Sequence, residues 1–115
     1  RPPAAAAVPV AGQLLEVDRA PELMGFPVWV FHGANDQVNP VAFDDKATRL
    51  ISEACSQTDS ELLLRYTRYQ RAPDAAQPRD GHASDELAYA DDELWEWLLR
   101  HRKHGAGLGR RAIGG

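Results

Sequence analysis

Apolar positions change their period along the chain, and each change marks an element. Pro27-Val28-Trp29-Val30-Phe31 is a continuous apolar run, β-branched and aromatic, bounded by Pro27 and by His32-Gly33. Such a run predicts a strand covered on both faces, as in a parallel sheet. Residues 33–40 are polar, with turn chemistry at Gly33, Asn35, Asp36, Asn39 and Pro40. From Val41 the period becomes helical. Phe43, Ala47, Leu50, Ile51 and Ala54 make one apolar stripe, with Asp44, Asp45, Lys46, Arg49 and Glu53 on the other faces. Acidic residues early in that helix suit its dipole. A short loop over 56–60 leads to a second strand over 61–69, where Leu62, Leu64 and Tyr66 alternate with Leu63, Arg65 and Thr67. Residues 71–81 carry Pro73, Asp74, Pro78, Asp80 and Gly81 and read as a long loop. The last element opens near Ser84 and firms after Asp91 or Asp92, either of which can serve as N-cap. Leu94, Trp97 and Leu98 form its apolar face, widened by Trp95 and Leu99. Arg100, Arg102 and Lys103 fall in the last turn, and Gly105, Gly107 and Gly109 stop the helix.

The order is strand, loop, helix, strand, long loop, helix. It predicts an α/β fold whose two strands run parallel through a right-handed crossover. Two strands do not make a stable open sheet, so this unit is expected to belong to a larger one. Residues 1–13, rich in Pro and Ala, read as a disordered segment; 14–104 form the folded unit, with a short helical turn near 21–24 ended by Gly25; 105–115 read as a disordered Gly/Arg tail.

Composition narrows the function classes. Over 115 residues the apolar share is 43% and the charged share 26%, ordinary for a globular protein. A net charge of -4 gives no electrostatic reason to expect nucleic acid or an anionic membrane as partner. No apolar run approaches the roughly 20 residues that span a bilayer. The single cysteine, Cys55, cannot close an internal disulfide and reads as a packing residue, so the fold does not depend on an oxidising compartment; the compartment itself stays open, with a lean to cytoplasmic. Arg1 rather than Met at the first position reads as a processed chain or one that begins within a longer polypeptide, which leaves an upstream signal open.

Two motifs carry chemistry. The first is Phe31-His32-Gly33-Ala34-Asn35-Asp36-Gln37-Val38-Asn39-Pro40. It resembles the H-G-x-x-D-x-x-V-P stretch of α/β-hydrolases, with Asn39 set between Val38 and Pro40 as a departure. The second is Gly81-His82, followed by an acidic, Tyr-containing segment and Asp92-Glu93-Leu94-Trp95-Glu96-Trp97-Leu98-Leu99. It resembles the C-terminal part of dienelactone-hydrolase-like, phospholipase/carboxylesterase-like and prolyl-oligopeptidase-like serine hydrolases. The resemblance implies the C-terminal part of an α/β-hydrolase fold and a Ser-His-Asp triad, with Asp36 as the acid and His82 as the histidine. The chain order of that superfamily is serine, acid, histidine, and Asp36 precedes His82 accordingly. The residue types suit the task. A histidine with an ordinary pKa near 6.5 can take and return a proton at neutral pH. A carboxylate on its other nitrogen fixes the tautomer and stabilises the imidazolium.

The serine is not among these residues. Ser52, Ser56, Ser60 and Ser84 all lack the G-x-S-x-G glycines that permit the strained strand-to-helix turn. The resemblance places that elbow and the oxyanion-hole segment upstream of Arg1, so the chain alone is expected to be inactive. The implied activity is a carboxylester hydrolase, less readily a peptidase, on a small ester or peptide, with no cofactor and no metal. The alternative is a non-catalytic partial hydrolase that acts by packing against the missing N-terminal half or a partner chain. Other readings are plainer. Asp36 suits an Asx turn, His82 a surface loop, and His32 a structural hydrogen bond at a strand end. His101 and His104 suit a solvent-facing helix end, and Trp29, Trp95 and Trp97 packing. His82, Asp80 and Asp85 lack the paired spacing of zinc motifs. The loop over 71–81 leads into His82 and is expected to wall a substrate cleft.

Overall fold

A computed structural model describes residues 6–12, 17–58 and 61–106. The Leu14–Glu16 part of the mixed segment, Ser60, and the Gly/Arg tail from Gly107 on lie outside them. A 3-10 turn, Val17–Leu23, precedes β1 (Val28–Gly33), α1 (Val41–Thr58), β2 (Leu64–Tyr69), α2 (Ser84–Ala88) and α3 (Asp92–Ala106). The strands pair in parallel from Val28 opposite Leu64 to Gly33 opposite Tyr69. The α/β class and the strand–helix–strand order are therefore as the periodicity predicts.

All six residues of β1 are buried, which fits a run with no polar face. Side chains alternate across the strand. Trp29 and Phe31 stack at 4.9 Å and pack with Ala88, Leu94 and Trp97 from α2 and α3. Trp97 meets Trp29 edge-on at 5.6 Å, a favoured aromatic geometry. Thr67 accepts a hydrogen bond from Trp29 Nε1 at 2.8 Å, and the Arg65 guanidinium lies 3.9 Å from the Trp29 ring centroid. A second cluster of Ala20, Ala47, Ile51 and Cys55 joins the 3-10 turn to α1, with Leu64 of β2 packed against it.

Three expectations are corrected. Residues 6–12 lie along the free edge of β1. Val28 and Phe31 form parallel bridges with Ala7 and Val10, and Trp29 and Phe31 donate N–H bonds to the carbonyls of Ala7 and Pro9 at 3.0 Å. Low hydrophobicity suggested a tail; an unpaired edge of backbone donors and acceptors needs partners regardless of side chain. Residues 1–5 of that segment lie outside the described residues. The buried face of α1 is Asp44, Ala47, Thr48, Ile51 and Cys55, while Phe43 is 44% exposed. The stripe is turned because His32 binds Asp44 Oδ2, and the Thr48 hydroxyl donates to the Asp44 carbonyl at 2.8 Å, while Asp44 Oδ1 is buried without a partner among the described residues. The last helix runs through Gly105 to Ala106.

Asp91 caps α3: its Oδ1 accepts the Glu93 N–H at 2.9 Å. Asp91→Ala is expected to cost about 1 kcal/mol, the usual worth of an N-cap, in thermal or urea unfolding.

Candidate active site

Asp36 and His82 stand 46 positions apart and meet at the carboxyl ends of the two strands. Each is placed by its own loop. After β1 the chain turns at Gly33–Asp36, where the Asp36 N–H reaches the Gly33 carbonyl at 3.2 Å. Asp36 Oδ1 then accepts the N–H groups of Val38 at 2.8 Å and Asn39 at 2.9 Å. That is the Asx turn expected of an aspartate in such a loop. It also leaves Oδ2 aimed elsewhere, and His82 Nδ1 donates to it at 2.9 Å. The carboxylate side chain is fully buried and the imidazole is 29% exposed. With Nδ1–H committed to Asp36, the basic lone pair sits on Nε2, at the other side of the ring.

The loop that carries His82 is organised by two aspartates. Asp80 Oδ1 accepts the N–H of Ala75 at 2.8 Å and of His82 at 3.1 Å, and Oδ2 those of Ala76 at 3.0 Å and Gln77 at 2.8 Å. Asp74 accepts the N–H of Arg79 at 2.8 Å and of Gly81 at 2.9 Å. The amide hydrogens, Gln77 and Ala75 foremost, hold the Asp80 carboxyl at about 2, below its ordinary 3.8. A depressed acid contributes its stability above its unfolded pKa and loses it as pH falls through the folded one. Amide protection over residues 75–82 is therefore expected to persist at pH 4 and to collapse as pH approaches 2, read by hydrogen exchange. In Asp80→Asn, which turns an amide toward two donors, protection should already be lost at neutral pH.

The two loops are locked in register. Asn35 donates from Nδ2 to the Ala72 carbonyl at 3.0 Å and accepts the Ala72 N–H at 2.7 Å. The Gln37 N–H reaches the Asp80 carbonyl at 2.7 Å. A Cβ on Gly81 would lie 2.5 Å from the Asn35 carbonyl oxygen, so only glycine lets the His82 loop come this close. The periodicity marked Asn35, Asp74 and Asp80 only as turn residues. Their side-chain partners lie across loops, where no local pattern reports them.

Behind Asp36 stands His32. Its Nδ1 is 2.7 Å from Asp44 Oδ2, and its Nε2 is 2.8 Å from the Asn39 carbonyl and 3.2 Å from Asp36 Oδ2. Burial opposes a charge on this imidazole, but the Asp44 bond, the Asn39 carbonyl and the two nearby carboxylates outweigh it and raise its pKa. His32 thus makes the structural bond expected of it, while Asp44 stands in the core and not on a solvent face.

No family model matches the chain, and no curated protein matches it. Among solved structures it is similar to the crystal structure of a thermostable esterase, with a TM-score of 0.67 and 29% identity. The chain shares its fold with part of an esterase. The likeness covers 84% of this chain and 24% of the esterase chain, so these residues span about a quarter of that protein's length. It supports a hydrolase-fold relationship.

The serine expected upstream has no stand-in among the described residues. Ser84, two positions after His82, is buried, and its hydroxyl has no hydrogen-bond partner there, so it is not held by the imidazole. Ser52 and Ser56 lie within α1, and Ser60 lies outside the described residues.

Proposed function

We propose that this chain supplies the acid and the histidine of a serine hydrolase that cleaves esters of small substrates, with peptides the less favoured substrate. The observation that carries the reading is the His82 Nδ1 to Asp36 Oδ2 hydrogen bond, between a buried carboxylate and a part-exposed imidazole at the strand ends. The esterase likeness supports it at the level of the fold. In this reading His82 Nε2 takes the proton of a serine hydroxyl as the oxygen attacks the acyl carbon, then returns it to the departing alcohol. Water deacylates the serine by the same route in reverse. Asp36 orients His82 and stabilises its imidazolium while remaining a carboxylate. The nucleophile and the oxyanion donors come from residues outside these 115, and the loop over 71–81 walls the cleft on the histidine side. No cofactor or metal enters the reaction.

The coding sequence upstream of the Arg1 codon tests this. The reading predicts an open frame encoding a strand, G-x-S-x-G and a helix. A frame with no such elbow overturns it, and favours a partial hydrolase that serves by packing. Among the described residues the outer edge of β2 pairs with no strand, which supports that second reading, because an unpaired strand edge is a docking surface.

A further inference from the structure

We propose that His32 and Asp44 form a second, buried acid–imidazole pair that acts on His82 through Asp36, with His32 a positioning residue held as an imidazolium. The inference rests on the reading of Asp36 and His82 given above. Asp36 Oδ2 lies between two imidazoles, 2.9 Å from His82 Nδ1 and 3.2 Å from His32 Nε2. The order is carboxylate, imidazolium, carboxylate, imidazole: Asp44, His32, Asp36, His82.

The protonation of His32 follows from its partners. The Asn39 carbonyl, 2.8 Å from Nε2, can only accept, so Nε2 carries a hydrogen. Nδ1 faces the Asp44 carboxyl at 2.7 Å. Asp44 sits in the first turn of α1, where the helix dipole favours an anion, so the shared proton belongs on Nδ1. The competing arrangement is a protonated Asp44 donating to a neutral His32, and the unpartnered, buried Asp44 Oδ1 is the feature that would go with it. The other charged groups packed here have hydrogen-bond partners of their own. Asp45 of α1 accepts from Arg68 at 2.9 and 3.1 Å and from the Tyr66 hydroxyl at 2.6 Å, both on β2. Near His82 the remaining acid is Asp80, which is bonded to loop amides.

The functional consequence is electrostatic. His32 and Asp44 together are neutral, but the positive end touches Asp36 and the negative end lies farther away. The pair therefore offsets part of the pull that Asp36 exerts on the His82 proton. It also fixes the Asp36 carboxylate without adding net charge to the buried cluster. Asp44→Asn removes the anion that keeps His32 charged. His32 then becomes neutral, and the His82 midpoint should rise.

The test is a pH titration of the ¹⁵N-histidine-labelled polypeptide encoded by the frame that contains the Arg1 codon, followed by NMR, with His32→Gln and His82→Gln used to assign the ring signals. In the unsubstituted protein both His32 ring nitrogens should be protonated at neutral pH. In Asp44→Asn, His32 should lose one proton, and the His82 midpoint and the acidic limb of the ester pH–rate profile should move up together. A neutral His32 in the unsubstituted protein overturns the inference, and that measurement decides it even where the variant does not fold. An unmoved His82 midpoint in a folded Asp44→Asn overturns it too, since a merely structural pair would leave that midpoint alone. The hydrolase reading fails separately, by an Asp36→Asn protein that keeps its turnover.

Discussion

Asp36→Asn is expected to lower kcat/KM on a short-chain ester by on the order of 10⁴-fold. Asn keeps the shape and one acceptor, so the Asx turn through the Val38 and Asn39 amides at 2.8 and 2.9 Å can survive. The other oxygen, which accepts from His82 Nδ1 at 2.9 Å, becomes an amide donor. It can pair only with an unprotonated Nδ1, which moves the hydrogen to Nε2 and blocks the nitrogen that must take the serine proton. The loss should therefore fall on turnover at every pH. The comparison belongs in the polypeptide encoded by the frame that contains the Arg1 codon, assayed over a pH series. A loss under about tenfold would mean that Asp36 serves its turn and nothing more.

Gly81→Ala is the second large effect, expected at about 3 kcal/mol against folding and with loss of the His82–Asp36 bond. Gly81 has φ +57°, a left-handed conformation that costs an alanine about 1–2 kcal/mol. An added Cβ would also meet the Asn35 carbonyl oxygen and Nδ2 at 2.5 Å, and Asn35 is pinned by its two bonds to Ala72. Neither can give way without moving the loop that carries Asp36. Gly25 separates the two contributions. Its φ is +81°, and nothing lies within 4 Å of its would-be Cβ, so Gly25→Ala should show the backbone cost alone. Urea unfolding of both variants checks this. Equal losses would show that the close approach of the two loops carries no energy.

How much of this was legible in the sequence depends on the range of the interaction. β1 announces itself because a strand buried on both faces must be apolar throughout, and 27–31 is. α3 is plain on one face only: Leu94 and Trp97 fill the space beside Trp29, whereas Trp95 and Leu99, expected to widen that face, are exposed. The site pair was read from motif resemblance, and the structure brings Asp36 and His82 within hydrogen-bond distance. What the pattern hid is long-range. Asp44 reads as a solvent-face residue because nothing local shows that His32, twelve positions earlier, will meet it. The turn of α1 that exposes Phe43 follows from that one buried pair. Residues 7–11 carry small side chains and Pro9; backbone pairing with β1, which hydrophobicity does not encode, sets their course, and Val8 and Val10 then pack against the Trp29–Phe31 cluster. Asn35, Asp74 and Asp80 bond to amides, so their residue type signalled a turn without revealing which loops they join.

The most direct test of the central claim is labelling by a fluorophosphonate, which reacts only with an activated serine, of the polypeptide encoded by the frame containing the Arg1 codon. The account predicts one labelled serine, upstream of Arg1 in a G-x-S-x-G turn, with labelling abolished by His82→Ala. A protein that does not label, or one whose labelling survives His82→Ala, would contradict it.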